Sequence, residues 1–183
     1  MIDRVLFNSI AKNLFKEKVI ILYGPRQVGK TTLMKKIYDD YKGEKQFVDC
    51  DIAINKQQLT DINLEKTSLF LGNATLLCID EAQRVPNIGL TLKILADNFK
   101  HVQVIATGSS SFEIANNVSE PLTGRKLEYL LLPFATQELW KSKGGISENA
   151  ALESRLVYGF YPEVINHPNE AQMRLEELSK SYL

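Results

Sequence analysis

The sequence predicts an α/β fold in which a parallel sheet is flanked by helices and followed by a short C-terminal helical segment. Two patterns predict it. Short runs of β-branched and other apolar residues, at 19–23, 76–79 and 102–106, alternate with stretches whose apolar residues recur at helical spacing. A glycine-rich loop joins the first of these runs directly to a helix, and continuous apolar runs of this length fit parallel strands covered on both faces. The chain has 183 residues, 44% of them hydrophobic, with 22 Lys+Arg against 22 Asp+Glu. That composition allows one full domain and excludes a disordered polyelectrolyte. The neutral balance supplies no long-range field for nucleic acid or an anionic membrane.

Taken in order, Leu6, Ile10 and Leu14 share a helical face, with Lys12, Lys16 and Glu17 elsewhere, so a leading amphipathic helix is expected. The strand at 19–23 stops at Gly24-Pro25. Leu33, Met34, Ile37, Tyr38 and Tyr41 then make one face of a helix, with Gly43 as its C-cap. Phe47-Val48 reads as a strand, residues 53–71 as one polar helical segment, and 76–79 as a strongly apolar strand. Ile88, Leu92, Leu95 and Phe99 give another helical face before the strand at 102–106. A stretch rich in Ser, Thr, Asn and Gly follows (107–124), and 127–132 makes the last strand, ended by Pro133.

Residues 134–141 read as a short helix. Ser142-Lys143-Gly144-Gly145 has a linker-like composition, so a boundary is placed between a domain of residues 1–141 and a lid-like helical segment of residues 146–183. Ser147 with Glu148 is expected to cap a helix running toward Tyr158. Ala171, Leu175, Leu178 and Tyr182 share one face of a terminal helix over 170–183, expected to stand uncovered in a truncated chain. Cys50 and Cys78 lie in apolar stretches without C-x-x-C spacing and read as buried reduced thiols. With no apolar leader and no run near the ~18 residues that span a bilayer, a cytoplasmic protein is expected.

The chemistry concentrates at three points. Gly24-Pro25-Arg26-Gln27-Val28-Gly29-Lys30-Thr31 matches the phosphate-binding (Walker A) pattern G-x-x-x-x-G-K-[ST], with Thr32 following it, in the required strand–loop–helix context. Glycines let backbone N–H groups converge on phosphate oxygens, Lys30 can reach the β- and γ-phosphates, and Thr31 can ligate Mg²⁺. Asp80 and Glu81 end the second strongly apolar strand, where carboxylates are costly unless they face a metal or water. Beside a phosphate loop, Asp80 can hold Mg²⁺ through water while Glu81 deprotonates the attacking water; apart from it, the pair would read as a solvated loop start. The strand at 102–106 ends in Thr107-Gly108-Ser109-Ser110-Ser111, on the ligand-binding edge of a parallel sheet. Ser109 is the hydroxyl chosen to touch the γ-phosphate or the water, against a Ser-rich helix cap.

Arg125, directly before the last strand, reads either as a solvated charge or as a side chain reaching a neighbouring subunit's phosphate. Arg26 and Arg84 are candidates for anion contact or for holding loops together through backbone and carboxylates. His101 and His167 read as surface residues.

With GPRQVGKTT at 24–32, IDEAQRVP at 79–86, TGSS at 107–110 and LTGR at 122–125, the chain resembles the prokaryotic predicted ATPases of the AAA+ superfamily. The resemblance spans roughly residues 19–138, with a weaker echo in GFYPEV at 159–164. It implies a P-loop NTPase with Lys30 and Thr31 at phosphate and Mg²⁺, Asp80 at Mg²⁺, Glu81 as the hydrolytic base, Ser109 as a γ-phosphate sensor and Arg125 acting in trans in a homo-oligomer. It implies ATP and Mg²⁺ as ligands, and a sheet in which the Ser109 strand lies between the loop strand and the Asp80 strand. Such proteins are typically longer, so an N-terminal fragment lacking a C-terminal domain is expected. The sequence assigns no lid arginine sensor, Arg155 and Arg174 being no more than arginines present in that segment.

Three functions are compatible with these residues: an ATPase driving a conformational change in a partner or further domain, a nucleotide-binding switch with negligible turnover, and a small-molecule kinase. The Asp-Glu pair, which positions water, ranks the kinase last. No recognition helix, zinc knuckle or stacking platform points to nucleic acid.

Overall fold

The computed structural model describes residues 2–60, 62–109 and 122–180. Among them, five strands form one wholly parallel sheet: β1 (Val19–Tyr23), β2 (Lys45–Asp49), β3 (Leu76–Asp80), β4 (Gln103–Gly108) and β5 (Lys126–Leu130), in the order β2-β3-β4-β1-β5. β4 lies between β1 and β3, as the resemblance implies. Every residue of β3 and β4 is buried, which is why their sequences lack the polar alternation of a half-exposed strand.

The chain divides into two compact units, one comprising Leu6–Pro25 and Lys30–Leu131, the other Met1–Val5, Arg26–Gly29 and Leu132–Leu183. In the sheet unit, Val19, Ile21, Leu77, Ile79, Val104 and Ala106 pack in one core with Ile88, Leu92 and Leu95 of α5 (Ile88–Asn98). The alternate strand residues Ile20, Leu22, Leu76, Cys78 and Ile105 are equally buried, and α2 (Lys30–Asp40) contacts β3 and β4. Both cysteines are free and buried, as expected. The parallel register brings the carboxyl ends of β1, β3 and β4 to a common edge, where the loops after them carry the polar residues singled out above.

Several local expectations are corrected. The leading helix α1 (Val5–Ala11) ends before Leu14, and the chain turns through Phe15 and Glu17 at positive φ. Gly43 does not cap α2; a Cβ there would meet the Tyr41 hydroxyl at 2.5 Å, so its role is to let that ring fold across the chain. The single helix expected over 53–71 is two, α3 (Ala53–Gln58) and α4 (Leu64–Leu71). The Asn63 side chain accepts a hydrogen bond from Lys66 N at 2.9 Å and starts the second afresh.

In the other unit, α6 (Thr136–Lys143) and α7 (Gly145–Ala150) meet at Gly144, whose φ of 84° turns the chain within one residue. The Ser142–Gly145 stretch, by number 142–145, is therefore helix end and helix start rather than a linker, and Ser147 lies inside α7 instead of capping it. After α8 (Leu152–Tyr158) and α9 (Pro162–Asn166), α10 (Ala171–Lys180) buries Ala171 and Leu178 against Val164, Tyr158 and Tyr161. The stripe expected to stand uncovered is thus covered at Leu178, leaving Leu175 at its exposed margin; Tyr182 lies outside the described residues.

Candidate functional site

The loop after β1 begins at Gly24, which has φ +151°, and a Cβ there would stand 2.1 Å from the Leu131 carbonyl oxygen. That approach arises because Leu131 N donates to Tyr23 O at 2.8 Å, extending the β1–β5 pairing one residue past Leu130. No side chain fits, so glycine is required at the point where the loop leaves the strand. Further along, Gln27 and Gly29 take positive φ values of 62° and 95°, which fold the loop tightly before α2. Successive turns of this kind point backbone N–H groups inward, the geometry that cradles anions.

Lys30 opens α2 and is buried, its Nζ donating to Gly24 O at 2.9 Å and Pro25 O at 2.8 Å. The ammonium is thereby held under the loop by two carbonyls, within a side chain's reach of whatever the loop encloses. Thr31 follows on the first turn of α2, and its Oγ1 donates to Asp80 Oδ1 at 3.2 Å. Asp80 is buried at the end of β3 and accepts a second, short hydrogen bond from the Thr107 hydroxyl. Thr107 Oγ1 in turn accepts from Glu81 N at 3.2 Å. Cys78 pairs with Ile105 in the β3–β4 register, so Asp80 and Thr107, two residues on, fall side by side on the same face.

In the sequence Thr107 is one hydroxyl among several at 107–111, of which Ser109 is the choice. The signal was present, a hydroxyl at the carboxyl end of a buried strand, but choosing it requires the register. Glu81 sits in the left-handed region (φ 52°, ψ 42°), an uncommon conformation for a residue other than glycine. Gln83 carries no signal in the sequence, yet its Nε2 donates to Glu81 Oε2 and, at 3.2 Å, to Ser109 Oγ. Ser109 stands just past β4, half-buried; Ser110 and Ser111 lie outside the described residues.

The arginines are dispersed. Arg125 Nε is paired with Asp97 Oδ1 and Nη1 donates to Thr123 O at 3.3 Å; both carboxylate and guanidinium are over a third exposed. Its hydrogen bond holds the Asp97 carboxyl below its usual range. Arg84 bonds Asp51 at 3.0 Å, in keeping with a loop-holding role. Of the two lid candidates, Arg155 is buried in a bidentate pair with Glu148, and Arg174 is engaged by Glu170, just before its helix, and by Glu177 within it. Neither faces outward as an unpaired cation.

Among the described residues, no group of three or more His, Cys, Asp or Glu side chains is placed to hold a metal. Thr31 and Asp80 present two hard oxygen donors side by side, and Mg²⁺, which dehydrates reluctantly, is commonly held by one or two such protein oxygens with phosphate and water completing its shell. The residues present fit that cation.

Residues 16–140 match the family described as AAA domain. The chain belongs to it. An AAA-domain P-loop ATPase of this family has ATP and Mg²⁺ as its general ligands. The chain is 31% identical over 117 residues to an uncharacterized protein of Mycobacterium tuberculosis, a match covering 63% of this chain and 25% of that protein. It is 30% identical over 148 residues to the uncharacterized protein MJ1544 of Methanocaldococcus jannaschii, covering 76% of this chain and 32% of that one. The chain thus spans about a quarter to a third of the length of these relatives. Among solved structures, its fold is similar to that of the Walker-type ATPase PABY2304 of Pyrococcus abyssi, with a TM-score of 0.69 at 16% identity over 100% of this chain and 73% of that one. No helix among the described residues is long and apolar enough to cross a membrane.

Proposed function

We propose that this AAA domain binds Mg·ATP and hydrolyses it, and that turnover drives a conformational change in a partner or a further domain of a longer protein. The observation that carries the reading is the one carboxylate, Asp80, joined to the hydroxyl of Thr31 beside the loop lysine and to the hydroxyl of Thr107 on the neighbouring strand. This links phosphate loop, cation position and the strand that ends near Ser109. Lys30 neutralises phosphate charge, and loop residues 24–32 wrap the phosphates. Thr31 and Asp80 would hold Mg²⁺, which would supply charge neutralisation on the bound phosphates. Glu81 accepts the proton of the attacking water, and Ser109 donates its hydroxyl to the γ-phosphate.

Steady-state ATP hydrolysis by the chain and three variants tests the assignment. Glu81→Gln should keep nucleotide affinity and lose turnover, because the amide cannot accept a proton. Asp80→Asn should weaken affinity and Mg²⁺ dependence together, and Lys30→Ala should abolish binding of Mg·ATP. Equal losses of affinity in the Glu81 and Asp80 variants would remove the case for separate roles.

The second reading, a nucleotide-binding switch with negligible turnover, is favoured by one observation: Arg125 is tied to Asp97 within its own subunit. Single-turnover cleavage of bound ATP separates the two. A kinase is disfavoured, since the acidic pair at 80–81 serves water.

A further inference from the structure

Gln83 lies on the single turn after β3 (Ala82–Arg84) and is half-buried. One nitrogen of its amide serves both polar groups assigned above to hydrolysis, donating to Glu81 Oε2 and to Ser109 Oγ. Its oxygen, Oε1, is buried and has no hydrogen-bond partner among the described residues. A buried amide oxygen left unpaired is costly, and such an atom in a native site points to a donor that arrives with a ligand or water. Reversing the amide would aim the oxygen at a carboxylate, so the orientation is fixed by Glu81.

We propose that Gln83 is the residue that orients the attacking water, a role nothing in the phosphate-loop or acidic motifs assigns to it. The inference rests on the reading of Glu81 as the base. Water has two hydrogens: Glu81 takes one as the proton transferred in the reaction, and Gln83 Oε1 accepts the other as a hydrogen bond that directs the lone pair. The water oxygen forms a bond to the γ-phosphorus, the bond from that phosphorus to the bridging oxygen breaks with its electron pair leaving on ADP, and the proton rests on Glu81. Because Ser109 Oγ accepts from Gln83, its own O–H remains available as a donor to a γ-phosphate oxygen. One amide therefore sets base, water and phosphate-facing hydroxyl together. Orientation of this kind acts in the transition state more than in the ground state.

The test compares Gln83→Met, which keeps the length and loses the amide, with wild type and Glu81→Gln, reading kcat for ATP hydrolysis and Kd for Mg·ATP separately. Expected are a fall in kcat of about 10–100-fold with Kd within about threefold, and no further fall when Gln83→Met is added to Glu81→Gln. Gln83→Glu, with matched length but a carboxylate facing Glu81, should be no better than Gln83→Met. Unchanged kcat in Gln83→Met, with Glu81→Gln inactive, overturns the inference and leaves the base in place. Retained turnover in Glu81→Gln, or none in wild type, overturns the reading of Glu81 and this inference with it. Parallel loss of kcat and Kd in both Gln83 variants marks a merely structural side chain and overturns the inference as well.

Discussion

Gly24 and Thr107 show how much a single atom decides at this site. Gly24→Ala places a methyl group 2.1 Å from a backbone oxygen at a φ that L-residues rarely adopt. It should cost about 2–4 kcal/mol in urea denaturation and remove Mg·ATP stabilisation with it. A loss of only a few tenths would show that the β5 end gives way freely. Thr107→Val keeps the shape of the strand and removes the hydroxyl shared by Asp80 and Glu81 N. About 1–3 kcal/mol should be lost, together with turnover, whereas Thr107→Ser should restore both. If the valine variant turns over normally, the hydroxyl is only packing. Thr107 does not stand out in the sequence, because the phosphate-loop pattern is local while this partner of Asp80 arrives from β4, 27 residues on; Gln83 is picked out only by its contacts with Glu81 and Ser109.

At the level of elements, the two thiols lie at the sheet, Cys50 directly after β2 and Cys78 within β3. Burial, reinforced by neighbouring carboxylates at Cys50 and by Asp80 at Cys78, pushes both from 9.0 up to about 12. A thiol raised in the folded state contributes stability that is complete below the unfolded value near 9 and is lost as pH rises from there toward 12. Alkaline destabilisation in that window, and very slow labelling of the native chain by a thiol reagent at neutral pH, are expected. Fast labelling at both positions would mean that the strands open readily. In the C-terminal helices, Glu148 of α7 and Arg155 of α8 form a buried bidentate pair at 3.0 and 3.1 Å. Glu148→Ala leaves a guanidinium buried without its carboxylate and should cost about 3–5 kcal/mol, followed in urea by the fluorescence of Trp140, the chain's single tryptophan. Replacing both partners by apolar residues should cost far less; an equal cost would show that packing, and not the stranded charge, is responsible.

For the molecule as a whole, binding and assembly give the tests. Mg·ATP at about 100 times its Kd should stabilise the fold by about 2.7 kcal/mol, a rise in Tm of roughly 5–10 °C for a chain of this size. Lys30→Ala should show none of it. Arg125 is held by an exposed ion pair, the kind that contributes little to stability and is readily exchanged for a better anion. Arg125→Ala should therefore leave ATP affinity nearly intact and depress turnover, since a trans arginine acts on charge developing in the transition state and contributes ~10³–10⁵ in rate. Mixing Arg125→Ala with Lys30→Ala chains should return part of the activity, because an intact nucleotide site then meets a neighbour that still carries Arg125. No recovery in chains that demonstrably co-assemble would confine Arg125 to its own subunit.

The sequence by itself determined the fold class, the alternation of strands and helices, and the phosphate loop with its Lys30-Thr31 pair. Each is written in contiguous residues: an apolar run long enough to be buried on both faces, a helical period, and glycines where no Cβ fits. It also placed Asp80 at a strand end, and the phosphate loop beside it is what separates a cation-facing carboxylate from a solvated loop start. Boundaries were less legible. A capping side chain at Asn63 divides what reads as one helix, and a single positive φ at Gly144 makes a joint of what reads as a linker. What only the tertiary structure decided is the company these residues keep: Asp80 between Thr31 and Thr107, Glu81 and Ser109 on one Gln83 amide, Arg125 on Asp97, Arg155 on Glu148. Those partnerships depend on strand order, register and side-chain direction, and a one-residue shift in register would send each strand's side chains to the opposite face.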